Sequence, residues 1–71
     1  MTEYRTYIGT KLRELRESKG LSLRQLAELT GFAHQNIYKI EQGRYSVGID
    51  VLSKICDALD AKVEIVNKTR G

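Results

Sequence analysis

A chain of 71 residues with one cysteine has room for a single domain, because so short a chain buries only about 60% of its unfolded surface and no disulfide framework supplements the core. The start, MTEYRTYIG, holds no apolar run of a signal peptide and no apolar stretch approaches about 18 residues, so a soluble, cytoplasmic chain without a membrane span is expected. The formal charge of +3 is unevenly placed: residues 1–46 carry eight Lys/Arg against five Asp/Glu, residues 47–71 four of each, and a basic first half suits a phosphate-rich partner. With one His, one Cys and no glycine-rich phosphate loop, neither an enzyme nor a metal or other cofactor is expected.

Tyr4, Ile8, Leu12 and Leu15 recur at steps of four, four and three, the stripe of an amphipathic first helix over about residues 3–19. Thr2 is its expected cap and Gly20 its stop. Ser22 and Gln25 form an S-x-x-Q capping box at the start of a second helix, whose apolar positions are Leu26, Ala27 and Leu29. Gly31 lacks a Cβ, so Thr30-Gly31-Phe32 reads as a tight corner with Phe32 tucked between two helices. The third helix covers 33–42. Its Ile37 and Ile40 face inward, which turns Ala33, His34, Gln35, Tyr38 and Lys39 outward. No acidic residue lies between Thr30 and Ile40, as a surface meeting a polyanion requires. Ala33 is a poor cap for this helix, at a cost of about 0.5–2 kcal/mol.

Arg44-Tyr45-Ser46 form a short loop, and Ser46 is placed to cap a fourth helix with an apolar stripe of Ile49, Leu52, Ile55, Cys56 and Leu59. Cys56 reads as a small core hydrophobe. From Ala61 to Val66 the period changes to alternation, with Ala61, Val63 and Ile65 on one face of a short strand. A lone strand leaves its backbone groups open, so it either pairs with its copy in a second chain or folds back on its own helices. Residues 67–71 read as a frayed tail.

Taken together, Leu12-Arg13-Glu14-Leu15-Arg16, Gly20-Leu21-Ser22, Leu26-Ala27, Thr30-Gly31, Ile37, Ile40-Glu41 and Gly43 closely resemble the phage-repressor/Cro-type (XRE-type) helix-turn-helix family over residues 8–59. The resemblance implies an all-α, four-helix DNA-binding domain at 1–60, with a C-terminal strand and tail at 61–71 as dimer contact. It also implies a homodimeric transcriptional regulator, in this reading a repressor, that binds double-stranded DNA at a partly palindromic operator. Helix 33–42 is then the recognition helix. Gln35 suits adenine, Lys39 guanine and the Ala33 methyl a thymine methyl, with His34 as a further base contact. Asn36 and Tyr38 are expected at the DNA backbone, with packing on a neighbouring helix as the alternative for Tyr38.

The start of the second helix, at Ser22, Leu23 and Arg24, is expected to hold a phosphate on its amides. Many relatives carry Gln where Leu23 stands; Leu23 cannot make that hydrogen bond, and Arg24 is the substitute. Arg44 and Tyr45 resemble a phosphate clamp. In relatives the arginine at the place of Arg16 pairs with the glutamate at the place of Glu41 and also touches a phosphate, and a glycine stop stands where this chain has Asp60. Some relatives with a terminal strand are antitoxins, so a toxin or other protein partner is the alternative function. The acidic fourth helix, with Asp50, Asp57 and Asp60 against Lys54, faces away from DNA in either case.

Overall fold

In the computed structural model the chain folds as α1 (Thr2–Ser18), α2 (Leu23–Thr30), α3 (His34–Glu41) and α4 (Ile49–Ala58). Residues 2–68 are described, apart from the side chain of Thr2. The expected cap at Thr2 and the tail residues 69–71 therefore lie outside the described part. Three helices end in the same way. After α1 the Gly20 amide donates to the Glu17 carbonyl at 3.0 Å and the Leu21 amide to Arg16 at 3.1 Å. Gly43 and Arg44 repeat this on Ile40 and Lys39 after α3, at 3.0 and 2.9 Å, as do Asp60 and Ala61 on Asp57 and Cys56 after α4, at 3.1 and 2.8 Å. Each pair satisfies carbonyls that a helix end leaves open, and each needs a left-handed residue at its centre. Gly20 (φ 72°), Gly43 (φ 77°) and Asp60 (φ 55°) supply it.

The buried core draws on all four helices: Leu12 from α1, Leu26 from α2, Ile37 and Ile40 from α3, and Leu52, Ile55 and Cys56 from α4, with Leu59 just after it. α3 packs on both α1 and α2, and α2 packs on α4. Three residues of the expected helical stripes are exposed, Tyr4 at 64%, Leu29 at 60% and Ile49 at 70%, while Ile8, Leu15 and Ala27 are half-buried. Tyr4 and Ile49 sit in the first turns of their helices, beyond the reach of so small a core. In α2 the inward line runs through Leu26 and Thr30, and Leu29 lies about a quarter turn from it. Ser46 does not cap α4 either. The cap position belongs to Gly48, which makes no side-chain bond there.

α1 and α3 approach closely at one point. A Cβ at Gly9 would run into the Ile40 carbonyl oxygen and lie 2.7 Å from that of Glu41. Gly9 is buried, and only hydrogen at this position lets the two backbones meet.

No strand forms among the described residues, so the expected strand at 61–66 is corrected. A strand exists only through ladder bonds to a partner, and the described residues of the single chain provide no second strand. Ala61 to Glu64 instead run back past Tyr7 and Lys11 of α1 and Leu52 and Cys56 of α4, lining a groove with them. Beyond Glu64 the segment leaves the helices, and Ile65 is 94% exposed. Among the described residues no helix is long and apolar enough to cross a membrane.

Candidate nucleic-acid interface

Two short helices and the corner between them are locked by their own side chains. Ser22 Oγ accepts from the Gln25 amide at 3.0 Å, and Gln25 Oε1 accepts from the Ser22 amide at 2.8 Å, completing the capping box. This leaves the Leu23 and Arg24 amides, at the exposed start of α2, without an intrahelical acceptor. At the other end Gly31 adopts φ 81° and donates to the Ala27 carbonyl at 2.8 Å. Thr30 is buried. Its hydroxyl donates to the Leu26 carbonyl at 3.0 Å, and its oxygen accepts from the Phe32 amide at 3.3 Å. The corner is thus held from both sides of the glycine.

α3 is fixed from below by Ile37 and Ile40 and at its end by an ion pair. Arg16 Nε donates to Glu41 Oε2 at 2.8 Å and Nη2 to Oε1 at 3.0 Å, a bidentate fork, while Nη1 donates to the Leu21 carbonyl at 2.8 Å. Side-chain exposure is 11% for Arg16 and 2% for Glu41. The hydrogen bond to Glu41 raises the Arg16 pKa above its ordinary value, with burial opposing. One residue ties the end of α1, the α1–α2 loop and the end of α3 together.

The opposite side of α3 is open. Ala33, Gln35, Asn36 and Tyr38 are exposed, whereas His34 and Lys39 are half-buried. Ala33 caps the helix with no side-chain bond. Arg24 and Arg44 are exposed, Arg24 bordering a shallow depression with Ala33 and His34, and the Arg44 amide is tied to the Lys39 carbonyl. The Lys39 ammonium lies 5.4 Å from the centre of the Tyr45 ring. The half-buried Leu23 side chain packs against the core, and Arg16 has three of its five N–H groups engaged inside the protein.

Residues 8–66 match the family described as the helix-turn-helix domain, more than half of the chain. The chain belongs to the phage-repressor/Cro-type helix-turn-helix family. It is 37% identical over 59 residues to an uncharacterized HTH-type transcriptional regulator of Rickettsia conorii, covering 83% of this chain and 47% of that protein. It is 45% identical over 47 residues to the HTH-type transcriptional regulator PuuR of Escherichia coli, covering 66% of this chain and 25% of PuuR. The chain therefore spans less than half the length of these curated relatives. Among solved structures it is similar to the restriction-modification controller protein C.AhdI from Aeromonas hydrophila. There the TM-score is 0.81 and the identity 35%, over 84% of this chain and 91% of that one.

Three residues of this helix-turn-helix domain escape a reading by periodicity. Gly9 looks like a defect in α1 until the α3 carbonyls are seen against it. Thr30 is a polar residue in a core position, and the signal for it was its place one residue before Gly31, where a hydroxyl reaches back to the preceding turn. Glu28 borders the same shallow depression as Arg24 and His34, so the surface beside α3 is free of acids along the third helix but not along the second.

Proposed function

We propose that this helix-turn-helix protein is a sequence-specific, double-stranded-DNA-binding transcriptional regulator acting as a repressor. In this reading helix 33–42 enters the major groove. The observation that carries it is the sidedness of α3: Ile37 and Ile40 are buried while Ala33, Gln35, Asn36 and Tyr38 lie exposed along an acid-free row. Gln35 and Lys39 read bases, supported by Ala33 and His34. Arg24, Arg44 and the open amides at the start of α2 hold phosphates, with Ser22, Asn36 and Tyr38 beside them. Regulators named as such among the relatives support the same assignment.

The regulator acts as a homodimer on a partly palindromic operator, with half-sites about 34–36 Å apart or at multiples of that spacing. In this reading the 61–71 segment supplies the dimer contact, with Val63 and Ile65 exposed on it. Selection of bound duplexes from a random pool at a stated salt concentration tests the function. An inverted repeat is expected, and equal, weak retention of all sequences refutes it. Light scattering tests the contact: Val63→Ser/Ile65→Ser is expected to halve the mass, and an unchanged dimer places the contact elsewhere.

A further inference from the structure

We propose that Tyr45 is a positioning residue for base recognition: its ring holds the Lys39 ammonium at the edge of the recognition helix, so discrimination by Lys39 depends on an aromatic face that touches no base. The proposal rests on the reading of Lys39 as a base contact. A lysine on an open helix face spreads its ammonium over many rotamers, and ordering it on DNA then costs side-chain entropy. Here the ammonium already lies 5.4 Å from the Tyr45 ring centre, within the range in which a ring face attracts a cation.

The loop that carries the ring is tied to α3 and lies close on α1. Arg44, the neighbour of Tyr45, donates its amide to the carbonyl of Lys39 at 2.9 Å, so the loop is tied to the same residue whose side chain the ring receives. Gly43 turns the chain at φ 77°, and a Cβ there would stand 2.9 Å from Thr6 Oγ1, which shows how closely the loop base lies on α1. Tyr45 is 40% exposed and shares the wall of one cavity with Asn36, Ile37 and Val47, so part of the ring is turned to the protein. A loop anchored at both its backbone and its base presents a fixed platform, and a pre-organised contact loses less on binding.

The ring and the hydroxyl of Tyr45 make different claims, and they separate by substitution. A hydroxyl bonded to phosphate affects all duplexes alike and carries no sequence information. A ring that orders Lys39 affects one base pair. The experiment uses the full chain and the selected duplex, and measures binding to single-base-pair variants of that duplex at fixed salt. Lys39→Ala first identifies the base pair whose preference it erases. Tyr45→Leu and Tyr45→Gln, two replacements without a ring, are then expected to reduce the preference at that base pair about two- to fivefold, the worth of an exposed cation–ring contact. Tyr45→Phe is expected to retain it, and in the Lys39→Ala background Tyr45→Leu is expected to change nothing further there.

Preference unchanged in both ringless variants overturns the positioning role, as does a loss in Tyr45→Phe equal to that in Tyr45→Leu. If Lys39→Ala relaxes no base pair, the assignment of Lys39 as a reader has failed and the role of Tyr45 falls with it. Melting temperatures of all variants, measured alongside, separate misfolding from lost discrimination.

Discussion

Arg16 and Glu41 stand 25 residues apart, and their ion pair is bidentate and buried, unlike the exposed pairs Lys11–Glu14 and Arg13–Glu17. Removing the arginine leaves a carboxylate sealed in the core without a partner, which typically costs about 3–5 kcal/mol. Arg13 offers the control. It meets Glu17 at 3.2 Å on the exposed side of α1, and such a pair contributes about 0–1 kcal/mol. Arg16→Ala is therefore expected to lower the melting temperature several times more than Arg13→Ala, and equal shifts would contradict the structural role. Cys56 makes a second residue-scale prediction. Burial raises its pKa, with Asp57 adding to the effect. The folded thiol stays neutral where the unfolded one ionises, so stability falls as pH rises through the ordinary thiol range near about 8.5. Denaturation at about pH 7 and about pH 9.5 checks this: Cys56→Val is expected to lose less stability over that interval than the parent.

At the scale of the element, helix ends and close approaches matter more than stripes. α4 closes with the same pair of bonds as α1 and α3, but with Asp60 in the left-handed position that Gly20 and Gly43 fill elsewhere. A side chain there carries a steric penalty that glycine lacks, so Asp60→Gly is expected to stabilise the chain by about 0.5–1 kcal/mol in chemical denaturation. Gly9 predicts the reverse sign. Gly9→Ala, a favourable change for an isolated helix, is expected to destabilise by about 1–3 kcal/mol, because the new methyl meets the carbonyls of Ile40 and Glu41 and α3 must move. A gain in stability would show that α1 and α3 yield more freely than their contact suggests.

For the whole molecule, the consequence of this packing is a divided surface, with Ile37 and Ile40 turned in and an exposed, acid-free row on α3 that carries the proposed readers. Gln35→Ala is expected to cost about 1–3 kcal/mol on the preferred duplex and relax its specificity, whereas Arg44→Ala is expected to weaken all duplexes alike and reduce the salt slope by about 1. Salt titrations of both variants on matched and mismatched duplexes check the pair of outcomes, and an unchanged slope removes Arg44 from the phosphate set.

What the sequence determined alone is whatever depends on neighbours within about one helical turn. The capping box of Ser22 and Gln25, the corner at Gly31, the inward pair Ile37 and Ile40 and the uncapped start at Ala33 are all of this kind, and all are visible in the residues themselves. The pairing of Arg16 with Glu41 was available only by resemblance, because no local pattern links positions 25 apart. Tertiary structure alone decided which residues at the margins are covered: Leu23 turned in, Leu29 and Ile49 left out, Ala61 to Glu64 laid along α1 and α4. It also decided where backbones touch, at Gly9, and where Lys39 meets Tyr45. The physical reason is that period specifies a direction around one helix axis, while burial and contact depend on where a second axis passes, and that is settled only when the helices pack.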